Sequence, residues 1–179
     1  MYFKQFCFNK KELKGKHLIA IGDSLTADST IGCEKTYPHL IKNKYQFASL
    51  KNYAISGTTA TYMFKGSNIE KEYTQPDKLH AIDGCRVIDN AIANKEIDNV
   101  DVALISYGNN DMFFQVPLDN KKINSNPLSL DNCKSIKAGF RYMINRLRSV
   151  NPNMQIIIIN IPYSEYDKNA DLILDKACL

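Results

Sequence analysis

The sequence lacks several features that would define its class at once. It contains no tryptophan and only three histidines, and its longest apolar runs have the length of a strand. A membrane-spanning helix needs about 20 apolar residues, so no membrane span is predicted. The first residues, MYFKQFCFNKKELKGK, lack the apolar core of a secretory signal. The expected location is therefore the cytoplasm.

The cysteines form no recognisable pattern. There are five, an odd number, and no two of them have C-x-x-C spacing. This pattern favours neither a metal site nor a disulfide framework. We expect reduced, mostly buried thiols and predict no metal and no other cofactor. The cysteines are Cys7, Cys33, Cys85, Cys133 and Cys178.

Concentrated positive charge is also missing. The net charge is +4, from 23 basic and 19 acidic residues, and the lysines are scattered along the chain. A nucleic-acid-binding face usually has a basic stripe interleaved with aromatic residues. The composition therefore predicts no nucleic-acid partner and favours an ordinary solvated surface.

Apolar runs alternate with helical patterns along the rest of the chain. The length of 179 residues fits one domain, with residues 1–16 as an N-terminal arm. Strand, helix, strand, helix, strand, helix, strand is the order expected of an α/β fold with a four-stranded parallel sheet. Either Ser129 or Asp131 is the predicted N-cap of the last helix. The first predicted strand begins at His17, and the other three cover 47–57, 100–111 and 154–162. The predicted helices cover 36–45, about 79–92 and 133–147.

Three polar turns follow the first three predicted strands. They are Asp23-Ser24, Ser56-Gly57 and Asn109-Asn110-Asp111. Ligand sites in parallel α/β sheets lie beyond the carboxyl ends of the strands. The turns should therefore meet at one edge of the sheet and form a site.

Each of these residues also has a simpler structural interpretation. A serine at a strand-to-helix turn can expose its hydroxyl beside free backbone N–H groups, but Ser24 can equally be a helix cap. Gly57 can be an ordinary turn glycine, and Asn110 an ordinary turn asparagine. A side-chain amide beside a reactive serine can also stabilise an oxyanion. For Asp111 we expect a hydrogen-bond acceptor that organises its turn.

Taken together, the three turns resemble the motifs of the SGNH (GDSL) hydrolase family. The segments IGDSLT (21–26), NYAISGT (52–58) and GNND (108–111) are similar to its first three sequence blocks. The resemblance implies a flavodoxin-like three-layer α/β/α sandwich and a serine esterase without a cofactor. It assigns Ser24 as nucleophile, the Gly57 backbone as one oxyanion donor and the Asn110 side chain as another. A small acyl ester is the implied substrate, with acetyl groups on carbohydrate as the favoured case.

The resemblance ends before the family's last block, D-x-x-H, which follows a fifth strand and supplies the base. Residues 163–179 contain no histidine. We therefore interpret the chain as truncated, without its fifth strand, and expect self-association through the exposed fourth strand.

A base within the chain would have to be one of three histidines. His80 has D-x-x-H spacing with Asp77 and is the candidate, although it can also be a helix-start residue. His17 should lie at the opposite end of the sheet, and His39 on a helix surface.

Two other functions stay open at this stage. A domain with the serine, glycine and asparagine but no base could bind acylated sugar or cell-wall fragments without cleaving them. Aromatic residues of the loop 58–77 could supply a surface for a sugar ring or acyl chain. A phosphate-binding flavodoxin-like domain ranks last, because no G-x-x-x-x-G-K-S/T motif is present.

Overall fold

The computed structural model of the chain describes residues 10–32, 35–61, 83–113, 116–118, 129–130 and 133–159. Within these ranges the chain forms four strands and six helices. The strands are β1 (His17–Gly22), β2 (Ser49–Asn52), β3 (Val102–Ser106) and β4 (Gln155–Ile158). The helices are α1 (Lys10–Leu13), α2 (Asp28–Ile31), α3 (Tyr37–Tyr45), α4 (Gly84–Ala93), α5 (Asn109–Phe113) and α6 (Ile136–Val150).

The four strands form one parallel sheet in the order β2-β1-β3-β4. This order corresponds to the first four strands of a flavodoxin-like sheet, so the predicted α/β class is confirmed. The central strand β1 pairs Ala20 with Asn52 on one side and with Leu104 on the other. The carboxyl ends of β1, β2 and β3 consequently lie side by side.

Side chains that alternate along β1 enter two separate cores. Ile19 and Ile21 pack with residues of α4 and α6, whereas Leu18 and Ala20 pack with residues of α3. Successive side chains of a strand point to opposite faces, so a strand buried on both faces reads as a continuous apolar run. The helices therefore cover both faces of the sheet and form the predicted three layers.

Helix α6 begins later than predicted. Ser135, and neither Ser129 nor Asp131, is its N-cap, and the Ser135 hydroxyl accepts a hydrogen bond of 3.3 Å from the N–H of Ala138. The Ser135 backbone is extended, as an N-cap requires. Cys133 therefore precedes the helix, although its side chain is buried against the same core.

Strand β2 is shorter than the predicted strand 47–57. After Asn52 the chain leaves the ladder and turns across the end of β1, where the N–H of Ile55 donates to the carbonyl of Gly22 at 3.0 Å. The apolar residues Tyr53 to Ile55 therefore belong to a connection at the carboxyl edge of the sheet.

Several further predictions concern surfaces and thiols. No helix in the described part of the chain is long and apolar enough to cross a membrane. Cys85 and Cys133 are free and buried, as expected of structural thiols. Strand β4 is the last strand of the described sheet, and self-association through it stays a prediction.

Candidate active site

Ser24 lies in a tight turn directly after β1. The carbonyl of Asp23 accepts hydrogen bonds of 3.0 Å from the N–H groups of Thr26 and Ala27, and the Asp23 carboxylate accepts from the N–H of Leu25 at 3.0 Å. Ser24 itself is half-buried. The turn is packed closely against β3, because a Cβ atom at Gly22 would come within 2.7 Å of the carbonyl of Ser106. The sequence requires glycine there for that reason.

A second turn, residues 55–58, approaches the end of β1 from β2. The N–H of Thr58 donates to the carbonyl of Ile55 at 3.4 Å, and Gly57 has φ of +82°. A positive φ at the third position is what a type II turn demands, and glycine adopts it without strain. The Thr58 hydroxyl donates to the carbonyl of Ile55 at 2.6 Å and lies 3.4 Å from that of Gly22.

The third turn, after β3, is joined to the second by side chains. The Asn110 side-chain amide donates to the carbonyl of Thr58 at 2.8 Å. The two carboxylate oxygens of Asp111 accept from the N–H of Ala60 at 2.9 and 3.1 Å. Asp111 thus organises the turn as an acceptor. Through these bonds the three turns form one connected carboxyl edge.

This edge presents hydrogen-bond donors that have no partner among the described residues. In the part of the chain that the structure describes, the backbone N–H groups of Ser24 and Gly57 donate no hydrogen bond. The Asn110 amide uses one of its two hydrogens on Thr58. All three residues are half-buried. The arrangement can therefore receive an acceptor, such as a carbonyl oxygen that gains negative charge.

Two carboxyl groups beneath this edge have raised pKa values. Burial raises the pKa of Asp111 to about 7, although the N–H groups of Ala60, Asp111 and Thr61 act to lower it. Burial likewise raises the pKa of Asp23, against the lowering effect of the N–H groups of Leu25 and Asp23. A negative charge is therefore costly in this part of the molecule unless hydrogen-bond donors meet it.

A polar network that the sequence analysis missed supports the Ser24 turn from the side. The Asp28 carboxylate accepts from Thr36 at 2.9 Å and from Asn52 at 2.7 Å, and it lies 3.2 Å from the His39 ring. Asn52 also donates to the carbonyl of Thr26 at 2.8 Å. Burial acts to raise the pKa of Asp28, but hydrogen bonds from His39, Thr36 and Asn52 outweigh it and lower that pKa.

The structure describes two of the three histidines that were considered as the base. His39 lies on α3 and contacts Asp28. His17 opens β1 at the amino edge of the sheet, where its Nδ1 atom lies 2.8 Å from the Ser49 hydroxyl. His80 lies outside the described residues, as does most of the loop 58–77 with its aromatic side chains.

The amino edge also contains a large cavity. Its volume is about 630 Å³, and its lining includes His17, Ser49, Lys51 and Asp101. The cavity lies at the end of the sheet opposite to Ser24, because His17 and Gly22 are the two ends of β1. Cavity size alone would thus place the active site at the amino edge, where the predicted motifs are absent.

The sequence motifs and this geometry agree with the comparisons to known proteins. A GDSL-like lipase/acylhydrolase family model matches residues 20–174. The chain belongs to this family and is, by class, a hydrolase that acts on ester bonds. No functionally curated protein matches its sequence.

Solved structures show the same fold at low sequence identity. A protein from Bacteroides uniformis, named a GDSL-like lipase, is 16% identical with a TM-score of 0.62, over 96% of this chain and 82% of that chain. A protein from Desulfitobacterium hafniense, named a lipolytic protein of the G-D-S-L family, is 17% identical with a TM-score of 0.55, over 91% of this chain and 70% of that chain. At these identities the likeness concerns the fold.

Proposed function

We propose that the chain is a serine esterase in which the Ser24 hydroxyl attacks the carbonyl carbon of an acyl ester. The attack forms a tetrahedral intermediate whose former carbonyl oxygen carries the negative charge. The intermediate collapses, the alcohol leaves with a proton, and the acyl group remains on Ser24. Water then hydrolyses this acyl-enzyme and releases the carboxylic acid.

The donors at the carboxyl edge carry this proposal. Among the described residues, the N–H groups of Ser24 and Gly57 and the second hydrogen of the Asn110 amide have no partner and can bind the oxyanion. Removing one such donor typically costs about 10²–10³-fold in rate. The proposal therefore assigns the oxyanion to these three groups.

Ser24 requires a base, because a serine hydroxyl is a weak nucleophile near neutral pH. Of the three histidines, His17 lies at the other end of β1 and His39 contacts Asp28. We assign the base to His80. Because residues 163–179 contain no histidine, an added D-x-x-H block is the alternative source of a base.

The proposed substrate is a small acyl ester, with acetylated carbohydrate as the case that the family resemblance favours. The test compares hydrolysis of p-nitrophenyl acetate by the chain, by Ser24→Ala and by Ser49→Ala. Ser49 is a matched control, because its hydroxyl contacts a histidine at the opposite edge of the sheet. We expect Ser24→Ala to remove activity and Ser49→Ala to keep it within about twofold, since only the first removes the nucleophile.

His80→Ala then tests the base. Loss of activity in this variant supports His80, whereas unchanged activity refutes that assignment. If the unmodified chain and Ser24→Ala are equally inert, the comparison is repeated with a D-x-x-H segment added after residue 179. Saturable binding of an acetylated sugar without turnover, in both forms, would contradict the esterase and favour a binding domain.

A further inference from the structure

We propose that Leu25 and Ile55 bind a hydrocarbon chain of the ester substrate and so set its chain-length preference. The inference rests on the proposed esterase function and concerns the same site. It keeps the ester substrate but replaces acetylated carbohydrate as the favoured case, because neither half of an acetylated sugar carries an extended hydrocarbon chain.

Leu25 and Ile55 are unusual in their exposure. The Leu25 residue is 50% exposed and Ile55 is 39% exposed, whereas most large apolar residues of the described part belong to the two cores. One other large apolar residue of the described part, Leu40 on α3, is comparably exposed at 58%. Single exposed apolar residues are ordinary on protein surfaces, so position must carry the argument.

Both residues flank the proposed nucleophile. Leu25 directly follows Ser24 in the chain. The N–H of Ile55 donates to the carbonyl of Gly22 at 3.0 Å, so Ile55 lies beside the end of β1. Ile55 is thus bonded to a residue two positions before Ser24, and Leu25 is the residue directly after it.

The backbone holds both residues in this exposed position. The N–H of Leu25 is bonded to the Asp23 carboxylate at 3.0 Å. Ile55 uses its N–H on Gly22, and its carbonyl accepts from both the N–H and the hydroxyl of Thr58. Neither residue can be buried by a movement of its own main chain without breaking hydrogen bonds of the site itself. A bound hydrocarbon chain can cover both, and each methylene buried improves binding by about fourfold.

The hydrocarbon can belong to the acyl group or to the alcohol, and two substrate series separate these sources. The acyl series is p-nitrophenyl acetate, butyrate and octanoate, and the alcohol series is ethyl, butyl and octyl acetate. The proteins are the unmodified chain, Leu25→Ser, Ile55→Ser and the matched control Leu40→Ser. The readout is the ratio of kcat/KM for the longest ester to kcat/KM for the shortest ester. Damage to the catalytic groups lowers both values by the same factor, so it does not change this ratio.

In one series we expect the ratio to exceed 1 for the unmodified chain and to fall about tenfold in Leu25→Ser and in Ile55→Ser, because losing apolar contact costs roughly this factor. Leu40→Ser should keep the ratio within about twofold. Equal ratios in all four proteins, in both series, overturn the inference while leaving the esterase intact.

If neither the chain nor the form with an added D-x-x-H segment turns over any ester, the proposed function is contradicted, and the apolar contact is then tested by binding. Without turnover, the Kd of p-nitrophenyl octanoate can be measured directly by fluorescence titration. A tenfold weaker Kd in Leu25→Ser and Ile55→Ser, with no change in Leu40→Ser, upholds the hydrocarbon contact. The same Kd in all four proteins overturns it.

Discussion

The two edges of the sheet both carry a serine, an asparagine and an aspartate, yet they differ in the N–H groups of residues at or just beyond the strand ends. At the amino edge, the N–H groups of His17, Asp101 and Gln155 are all bonded, to the Asp101 carboxylate and to the carbonyls of His17 and Asp101. At the carboxyl edge, the N–H groups of Ser24 and Gly57 donate to nothing within the described residues.

This difference supports the carboxyl edge as the proposed catalytic edge. The amino edge has the large cavity and a serine that contacts a histidine, two features often used to find active sites. The N–H groups at the strand ends of the amino edge are already bonded, whereas free backbone donors for a developing negative charge are commonly the largest contribution to acyl transfer. We therefore expect variants at the two edges to have different effects on catalysis, even where their effects on stability are similar.

The largest difference should come from a pair of asparagines. Asn110→Ala removes the proposed side-chain oxyanion donor and should lower kcat by about 10²–10³-fold. At the other edge, the Asn151 amide donates to the carbonyl of Val100 at 3.0 Å. Asn151→Ala should reduce the free energy of unfolding by about 1 kcal/mol and leave kcat within about twofold. Steady-state kinetics and urea unfolding of both variants measure this, and equal kcat values would contradict the assignment of Asn110.

A pair of glycines tests the same comparison with a smaller expected loss of activity. Gly57 and Gly15 have nearly the same backbone conformation, with φ of +82° and +80°. Alanine at either position is strained and should reduce the free energy of unfolding by about 1–2 kcal/mol. Only Gly57→Ala should also lower kcat/KM, by roughly tenfold, because it shifts a proposed oxyanion donor (a tenfold change is about 1.4 kcal/mol). If Gly15→Ala lowers kcat/KM equally, the loss reflects stability rather than the donor.

The smallest expected effect is on the pH dependence of stability. The folded chain keeps the Asp111 proton up to about pH 7, where its raised pKa lies, whereas the unfolded chain releases it near 3.8, the ordinary pKa of an aspartate. Between these values the folded state binds more protons, so stability must fall as pH rises. Asp111→Asn removes this titration.

Urea unfolding of both proteins from pH 5 to pH 8 tests the sign. The free energy of unfolding of the unmodified chain should fall by about 1 kcal/mol or more relative to Asp111→Asn, since one pKa unit corresponds to about 1.4 kcal/mol. Parallel curves for the two proteins would show that Asp111 does not titrate in this range.

The sheet could be predicted because its central strands have a clear apolar pattern in the sequence. The apolar runs of β1 and β3 are buried on both faces, and each is followed by polar residues where the strand ends. The convergence of three turns followed from parallel topology alone. The length of β2 could not be predicted, since Tyr53 to Ile55 are as apolar as strand residues but bond across the end of β1.

The supporting contacts were harder to predict than the motifs. Asp28 and His39 lie 11 residues apart, and their contact depends on how α3 packs against the sheet. The prediction of the N-cap of α6 was wrong because Ser129, Asp131 and Ser135 are equally good capping residues, and only the path of the chain decides among them. Local sequence therefore specified the reactive groups better than the contacts that hold them.

One bond at the carboxyl edge has a consequence for protein engineering. The carbonyl that orients the Asn110 amide belongs to the backbone of Thr58, so no side-chain replacement at position 58 can delete it. The orientation of the amide is therefore set by the path of the main chain. Libraries that diversify side chains around this segment should preserve that orientation, whereas insertions or deletions within residues 55–60 should destroy it.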